Sequence, residues 1–210
     1  MKVCKSLVQC CIFTVLALSL VGAVGDASAQ NLLANPGFET GDLTDWLVFG
    51  QSANSDVTVQ SPDNGPSLPG MHNAYMGNNA EAMGLTLKQS TPAGSAGPGT
   101  VFYSYDLKLD QADVGGVLFV EIFAEVAGGG VVGGSGLMGP LWPWNDWAFF
   151  DGSFEAPANT DFLTIQIMAN TGAAVGTNCL AHVDNVYLSQ EAPPVATESK
   201  NWGGIKALYR

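Results

Sequence analysis

The chain has 210 residues, with 19 acidic against 7 basic side chains and a net charge of -12. Between Gln30 and Gln190 only Lys88 and Lys108 oppose 16 carboxylates, so the clustered Lys and Arg that hold phosphate are missing and a nucleic-acid partner is excluded. The same imbalance disfavours an anionic membrane or a polyuronate, and acidity on this scale serves solubility.

Lys2 and Lys5 precede an apolar run from Leu7 to Val24, and Ala27-Ser28-Ala29 supplies a small-residue cleavage pattern. Residues 1–29 therefore read as an export signal, with the secreted chain starting at Gln30; the alternative, a membrane anchor, is disfavoured by Gln9, Thr14 and Ser19 within the run and by the cleavage pattern. No later stretch is apolar for long enough to span a bilayer. Residues 30–190 suit one domain with a sizeable core. Cys4, Cys10 and Cys11 leave with the signal, so Cys179 has no partner in its own chain. That excludes a disulfide framework and leaves Cys179 as a small buried apolar residue.

The body shows short alternating runs separated by Gly, Pro, Asn and Asp, with almost no helical periodicity, the pattern of an all-β fold. Short strands are expected at residues 31–34, 46–49, 56–60, 74–76 and 85–89. In residues 100–110, Val101, Tyr103, Tyr105, Leu107 and Leu109 share one face, and in residues 116–127, Leu118, Val120, Ile122, Ala124 and Val126 do the same. These two half-buried strands are expected to be antiparallel neighbours. Further strands are expected at residues 147–154, 162–169 and 181–188. Some ten strands favour a two-sheet antiparallel β-sandwich, a jelly roll.

Two connections, residues 61–70 and 127–136, are rich in turn formers and short of side chains that could pack, so both are expected to be exposed and the second mobile. After Gln190 a Pro-containing linker leads into the ending NWGGIKALYR, and residues 191–210 hold Lys200, Lys206 and Arg210. Such a tail can fray, dock on an acidic body, its own or a neighbour's, or serve as a sorting signal.

The opening NLLANPGFETGDLTDW (residues 31–46) and the ending HVDNVYL (residues 182–188), with HNAYMGN (72–78) and DWAFFDGSFEAP (146–157) between them, resemble the galactose-binding-like jelly rolls found as carbohydrate-binding modules beside secreted bacterial cellulases and xylanases. The likeness implies a non-catalytic, sugar-binding domain. It also implies a structural calcium between Glu39 and Asp184. Alternation independently puts Asp184 on a face with Leu180, His182, Val186 and Leu188, where a carboxylate needs a partner. Backbone amides, a proton or calcium, with carbonyls of the NPGFE turn, could each supply one.

Glu121 and Glu125 share a strand face, but four residues along a strand separate them by about 13 Å, against about 5 to 5.5 Å for a retaining glycosidase pair and about 6.5 to 9.5 Å for an inverting one. His72 and His182, the only histidines, lie in separate motifs and form no metal centre. No catalytic signature is present.

Five tryptophans are present. Trp46 and Trp147 read as structural. Trp142 and Trp144 flank Pro143 in a loop, where stiffened indoles can stack on pyranose faces while Asn145 and Asp146 take hydroxyl hydrogen bonds. The alternative is that this loop folds back to plug one end of the sandwich. The expected function is therefore neutral-polysaccharide binding, or, alternatively, self-assembly at a surface through the same sandwich and the basic tail.

Overall fold

The computed structural model describes residues 29–192. The expected export leader and the basic tail, apart from their innermost residues, lie outside the described residues. Among the described residues no helix is long and apolar enough to cross a membrane.

Eleven strands among the described residues form two antiparallel sheets: β1 (Leu47–Phe49), β2 (Ser55–Gln60), β3 (Asn73–Asn78), β4 (Gly84–Ser90), β5 (Gly99–Asp113), β6 (Val117–Val126), β7 (Gly130–Gly134), β8 (Met138–Leu141), β9 (Ala148–Ala156), β10 (Phe162–Asn170) and β11 (Asn178–Ser189). One sheet runs β1-β4-β10-β6-β7, with β8 also on β6, and the other runs β2-β3-β11-β5-β9. The all-β jelly-roll sandwich expected from the sequence is the observed fold. The apolar faces of both sheets meet in one core, in which Leu87, Leu107, Leu118, Ile122, Ile165, Ile167 and Val183 are fully enclosed.

β5 and β6 are not neighbours, contrary to the sequence expectation. β5 pairs with β11 and β9, whereas β6 pairs with β10, β7 and β8. The intervening turn carries the chain from one layer to the other, with Val114 and Gly115 at φ 49 and 92. A Cβ at Gly116 would run into the Asn178 carbonyl. The two apolar strand faces therefore meet across the core instead of side by side, which buries both at once.

The glycine-rich stretch 127–136, expected to be a mobile connection, contains the edge strand β7, paired with β6 through Phe123↔Gly134 and Val126↔Gly130. Its glycines permit close approach: Gly128 and Gly130 lie at φ 74 and 82, and a Cβ at Gly134 would collide with the Ile122 carbonyl. Residues 31–34, expected as a strand, run irregularly. They are tied in by Leu32 N–H donating to the Leu188 carbonyl at 2.8 Å and by the Gln89 side chain, which exchanges two hydrogen bonds with the Ala34 backbone at 2.7 and 2.9 Å.

β11 departs from simple alternation. A register shift between Asp184 and Tyr187, with Asn185 at φ 49, turns Val186 and Leu188 into the core while Asp184 stays on the outer face, so these residues do not share one face as a regular strand would have placed them. Asp184 is nonetheless only 1% exposed. What covers it is the 61–70 segment.

Candidate functional site

Residues 61–70 cross the outer face of the five-stranded sheet as a strap. Most of its side chains are exposed, as expected, but Gly65 is buried, and the strap is pinned along its length. Gly65 N–H donates to Asp184 Oδ2 at 2.7 Å, and Ser67 donates to Asp106 Oδ2 through its amide at 2.9 Å and its hydroxyl at 2.6 Å. The Asn185 side-chain amide donates to the Gly65 carbonyl at 3.1 Å and to Asp106 Oδ2 at 2.9 Å.

At the other end of the strap, Asp63 forms a 2.6 Å ion pair with Lys108 and accepts the Trp147 indole N–H at 3.1 Å. The Lys108 hydrogen bond outweighs partial burial there and, together with that indole, holds the Asp63 carboxyl below its usual range. His182 sits beneath, bonded to Asn73 Oδ1 and Asp110 Oδ2 at 2.8 Å each, with the rings of Tyr75 and Trp147 at 5.0 and 5.9 Å. Burial lowers the His182 pKa, against the pull of Asp110. One of the two cations of the body is thus spent on anchoring, and Trp147 packs as a structural residue.

Glu39 and Asp184 lie in one acidic neighbourhood with Asp106 and Asn185. Asp184 Oδ1 and Asn185 Oδ1 both fall 3.5 Å from where a Gly37 Cβ would stand, and Glu39 Cγ falls 3.7 Å from it. Burial pushes the Asp184 carboxyl up to about 7, against the Gly65 and Asn185 amides, and the Asp106 and Glu39 charges add to the rise. Glu39 accepts the Met71 and His72 amides at 2.9 and 3.0 Å. Those bonds overcome its partial burial and lower its pKa.

One oxygen stands out: Asp106 Oδ1 is buried without a hydrogen-bond partner. Orphaned buried carboxylate oxygen beside further carboxyl and amide oxygens suits a hard cation in kind. No three His, Cys, Asp or Glu side chains among the described residues are placed to hold one metal ion. A calcium shell here would therefore have to draw on Asn185 Oδ1 and main-chain carbonyls as well. Sequence reading found Glu39 and Asp184 but missed Asp106 and Asn185, whose side chains meet only because the strap folds over them.

The tryptophan loop follows β8 and leads into β9. Pro143 is buried beneath it, while Trp142 and Trp144 are 45% and 47% exposed. The indoles stack on one another, with centroids 5.6 Å apart and planes 14° from parallel. The backbone below is fixed: Leu109 N–H donates to the Pro143 carbonyl at 2.7 Å, and Asn145 N–H donates to the Leu109 carbonyl at 2.9 Å. Asn145, at φ 56, and Asp146 are exposed beside the pair, and Asp146 accepts the Trp147 amide at 2.9 Å. The loop thus presents its indoles outward on a fixed backbone, and stacking leaves each ring one outer face. Trp46, by contrast, is in the core, 5.3 Å from the Phe38 ring.

The remaining residues weighed for chemistry lie apart from both places. Glu121 is on the outer face of the other sheet with Gln166 as neighbour at 3.4 Å. Cys179 is enclosed, and burial pushes its thiol up to about 12.

No family model matches the chain, and no curated protein matches it. Among solved structures, the enzymatically active domain of bacteriophage CBA120 tailspike protein 4 superposes with a TM-score of 0.59 at 13% identity over 77% of this chain, which spans only 21% of that one. A family 61 carbohydrate-binding module in complex with β-1,4-galactotriose gives 0.52 at 17% identity, covering 78% of this chain and 100% of the other. The xylan-binding domain CBM22-1 of Paenibacillus barcinonensis Xyn10C gives 0.50 at 14% identity, covering 79% and 97%. Identities this low speak for a shared fold: the β-sandwich of carbohydrate-binding modules, as the sequence motifs suggested.

Proposed function

We propose that this chain is a secreted, non-catalytic module that binds neutral polysaccharide, with Trp142 and Trp144 as the stacking surface and Asn145 and Asp146 as hydroxyl partners. The observation that carries the reading is the pair of nearly half-exposed, mutually stacked indoles on a backbone already held by β5. Exposed indole is costly in water and is offset when a pyranose face covers it, and a fixed loop loses little entropy on binding. The scarcity of cations argues for an uncharged glycan. The likeness in fold to a galactotriose-bound module and a xylan-binding domain supports the same reading.

A non-catalytic role is supported by the fate of the acids. Glu121 and Glu125 lie four residues apart on β6, and Asp106, Asp184 and Asp63 are engaged in holding the strap. We include a structural calcium in the proposal, held by Glu39 and Asp184 with help from the Asn185 side chain and main-chain carbonyls. It would supply positive charge where carboxylates crowd and would tie the first motif to the last strand. An array of neutral glycans probed with calcium present and with chelator tests both parts. Retention of at least one neutral β-linked glycan is expected, with a higher melting temperature in calcium. An array without retention overturns the binding role, and unchanged melting overturns the calcium.

A further inference from the structure

The strap leaves a groove of about 330 Å³ on the outer face of the five-stranded sheet, with Trp142, Trp144, Asn145 and Asp146 outside its lining. Its floor is a row across three strands, since Tyr187 and Asp151 both face Ser104 in register. Phe149, 51% exposed, stands opposite Asp106 one step along, and Phe102 flanks the row on the other side. Leu68, 58% exposed, forms the wall contributed by the strap.

We propose that this groove is a second sugar site, taking one or two pyranose rings of a neutral glycan. The inference rests on the polysaccharide-binding reading above and adds a second point of attachment to it. Aromatic faces of Phe149, Phe102 and Tyr187 suit the apolar face of a pyranose. Ser104 and Asp151, directly opposite each other on paired strands, have Cβ atoms about 5 Å apart and can share neighbouring hydroxyls. The volume falls within the range of small-ligand clefts, and an apolar lining with a few convergent polar groups is the usual composition of such clefts. Among the described residues the groove lining holds no cation, and Lys108, the nearest one in sequence, is bound to Asp63, so these residues offer no group for a sulfate or carboxylate on the glycan. Its wall is pre-set, because Ser67 beside Leu68 is tied to Asp106 by two hydrogen bonds.

Two sites on one small domain bind a polymer more tightly than either alone. The test is an array of neutral β-linked glycans read with four proteins: wild type, Trp142→Ala/Trp144→Ala, Phe149→Ala/Asp151→Asn, and all four substitutions together. Phe149 and Asp151 are exposed, so the groove variant is expected to melt as the wild type does, and Asp151→Asn alone, which keeps the shape, provides a second variant. On the glycans that wild type retains, each double variant is expected to lose about tenfold or more in apparent affinity, and the combination is expected to lose all retention. A groove variant that binds like wild type, together with a tryptophan variant that alone abolishes retention, overturns the second site and leaves the binding role standing. Absence of retention by the wild type itself overturns both.

Discussion

Gly65 donates its amide to Asp184 Oδ2 at 2.7 Å across 119 positions of sequence, and this bond makes a turn-rich loop part of the sheet it crosses. Both residues are buried, so the bond is shielded from solvent competition and its loss leaves a buried amide unsatisfied.

Asp184→Ala is therefore expected to strand the Gly65 and Asn185 amides and to cost about 1 to 3 kcal/mol for each unsatisfied group. Asp184→Asn keeps an acceptor oxygen and should lose less. Thermal melting reads the order of the three proteins, and limited proteolysis should cut first within residues 61–70 of the alanine variant. Equal resistance of that segment in both variants would contradict its dependence on Asp184.

Acid should loosen the other end of the strap. The folded-state pKa of Asp63 is held below 3.8, chiefly by Lys108. Its contribution is thus present above pH 3.8 and is lost as pH falls through the lowered folded value. Half the Asp63 side chain is exposed, so the effect is screened and modest. Asp63→Asn is expected to lower the melting temperature modestly and evenly above about pH 5 and to converge on wild type in acid, so that the acid limb of its profile is flatter. A variant profile parallel to wild type throughout would contradict this.

Gly116 should tolerate no side chain. A Cβ there meets the Asn178 carbonyl, which is backbone and cannot step aside, whereas a Cβ at Gly97 meets nothing within 4 Å. Gly116→Ala is expected to cost about 3 kcal/mol and Gly97→Ala close to nothing, as read by chemical denaturation.

The thiol of Cys179 should be inert in the native protein. With its pKa pushed up to about 12 and its side chain enclosed, iodoacetamide at pH 8 is expected to label the chain from Gln30 onward only after denaturant is added. Native labelling within minutes, read by mass, would contradict the burial.

The tail from Glu191 onward bears on self-assembly. Removing residues 193–210 is expected to leave both melting temperature and glycan retention unchanged, since the sandwich closes at Ser189. Loss of retention on truncation, or a salt-sensitive oligomer that disappears with the tail, would favour the self-assembly reading instead.

The alternating runs of β5 and β6 made an all-β sandwich legible from sequence, because a period of two needs no tertiary information. Which sheet each strand joins was not legible. Two strands with one apolar face each are consistent with side-by-side pairing or with facing layers, and only the turn at Val114–Gly116 decides between them. β7 was hidden by its composition, since glycine usually weakens a strand and here is required by close approach to β6. The left-handed Asn185 breaks the alternation of β11 and exchanges the faces of Val186 and Leu188. Trp142 and Trp144 could be singled out from spacing alone, but their exposure and mutual stacking depend on the tether from Leu109, a residue more than thirty positions away. The second groove had no sequence signal at all, because Ser104, Asp151 and Tyr187 are brought together by register.

The most direct measurement is affinity electrophoresis of wild type and Trp142→Ala/Trp144→Ala through gels carrying each neutral glycan that the array identifies, with melting temperatures taken in parallel. Stacking by exposed indoles predicts retarded wild type, a variant slowed far less on the same gels, and melting temperatures that agree within about 2 °C, since a change well under 1 kcal/mol moves the midpoint of a domain this size by no more. A variant retarded as strongly as wild type, or one whose melting temperature falls by many degrees, would contradict the account and return these tryptophans to the role of a cover over the core.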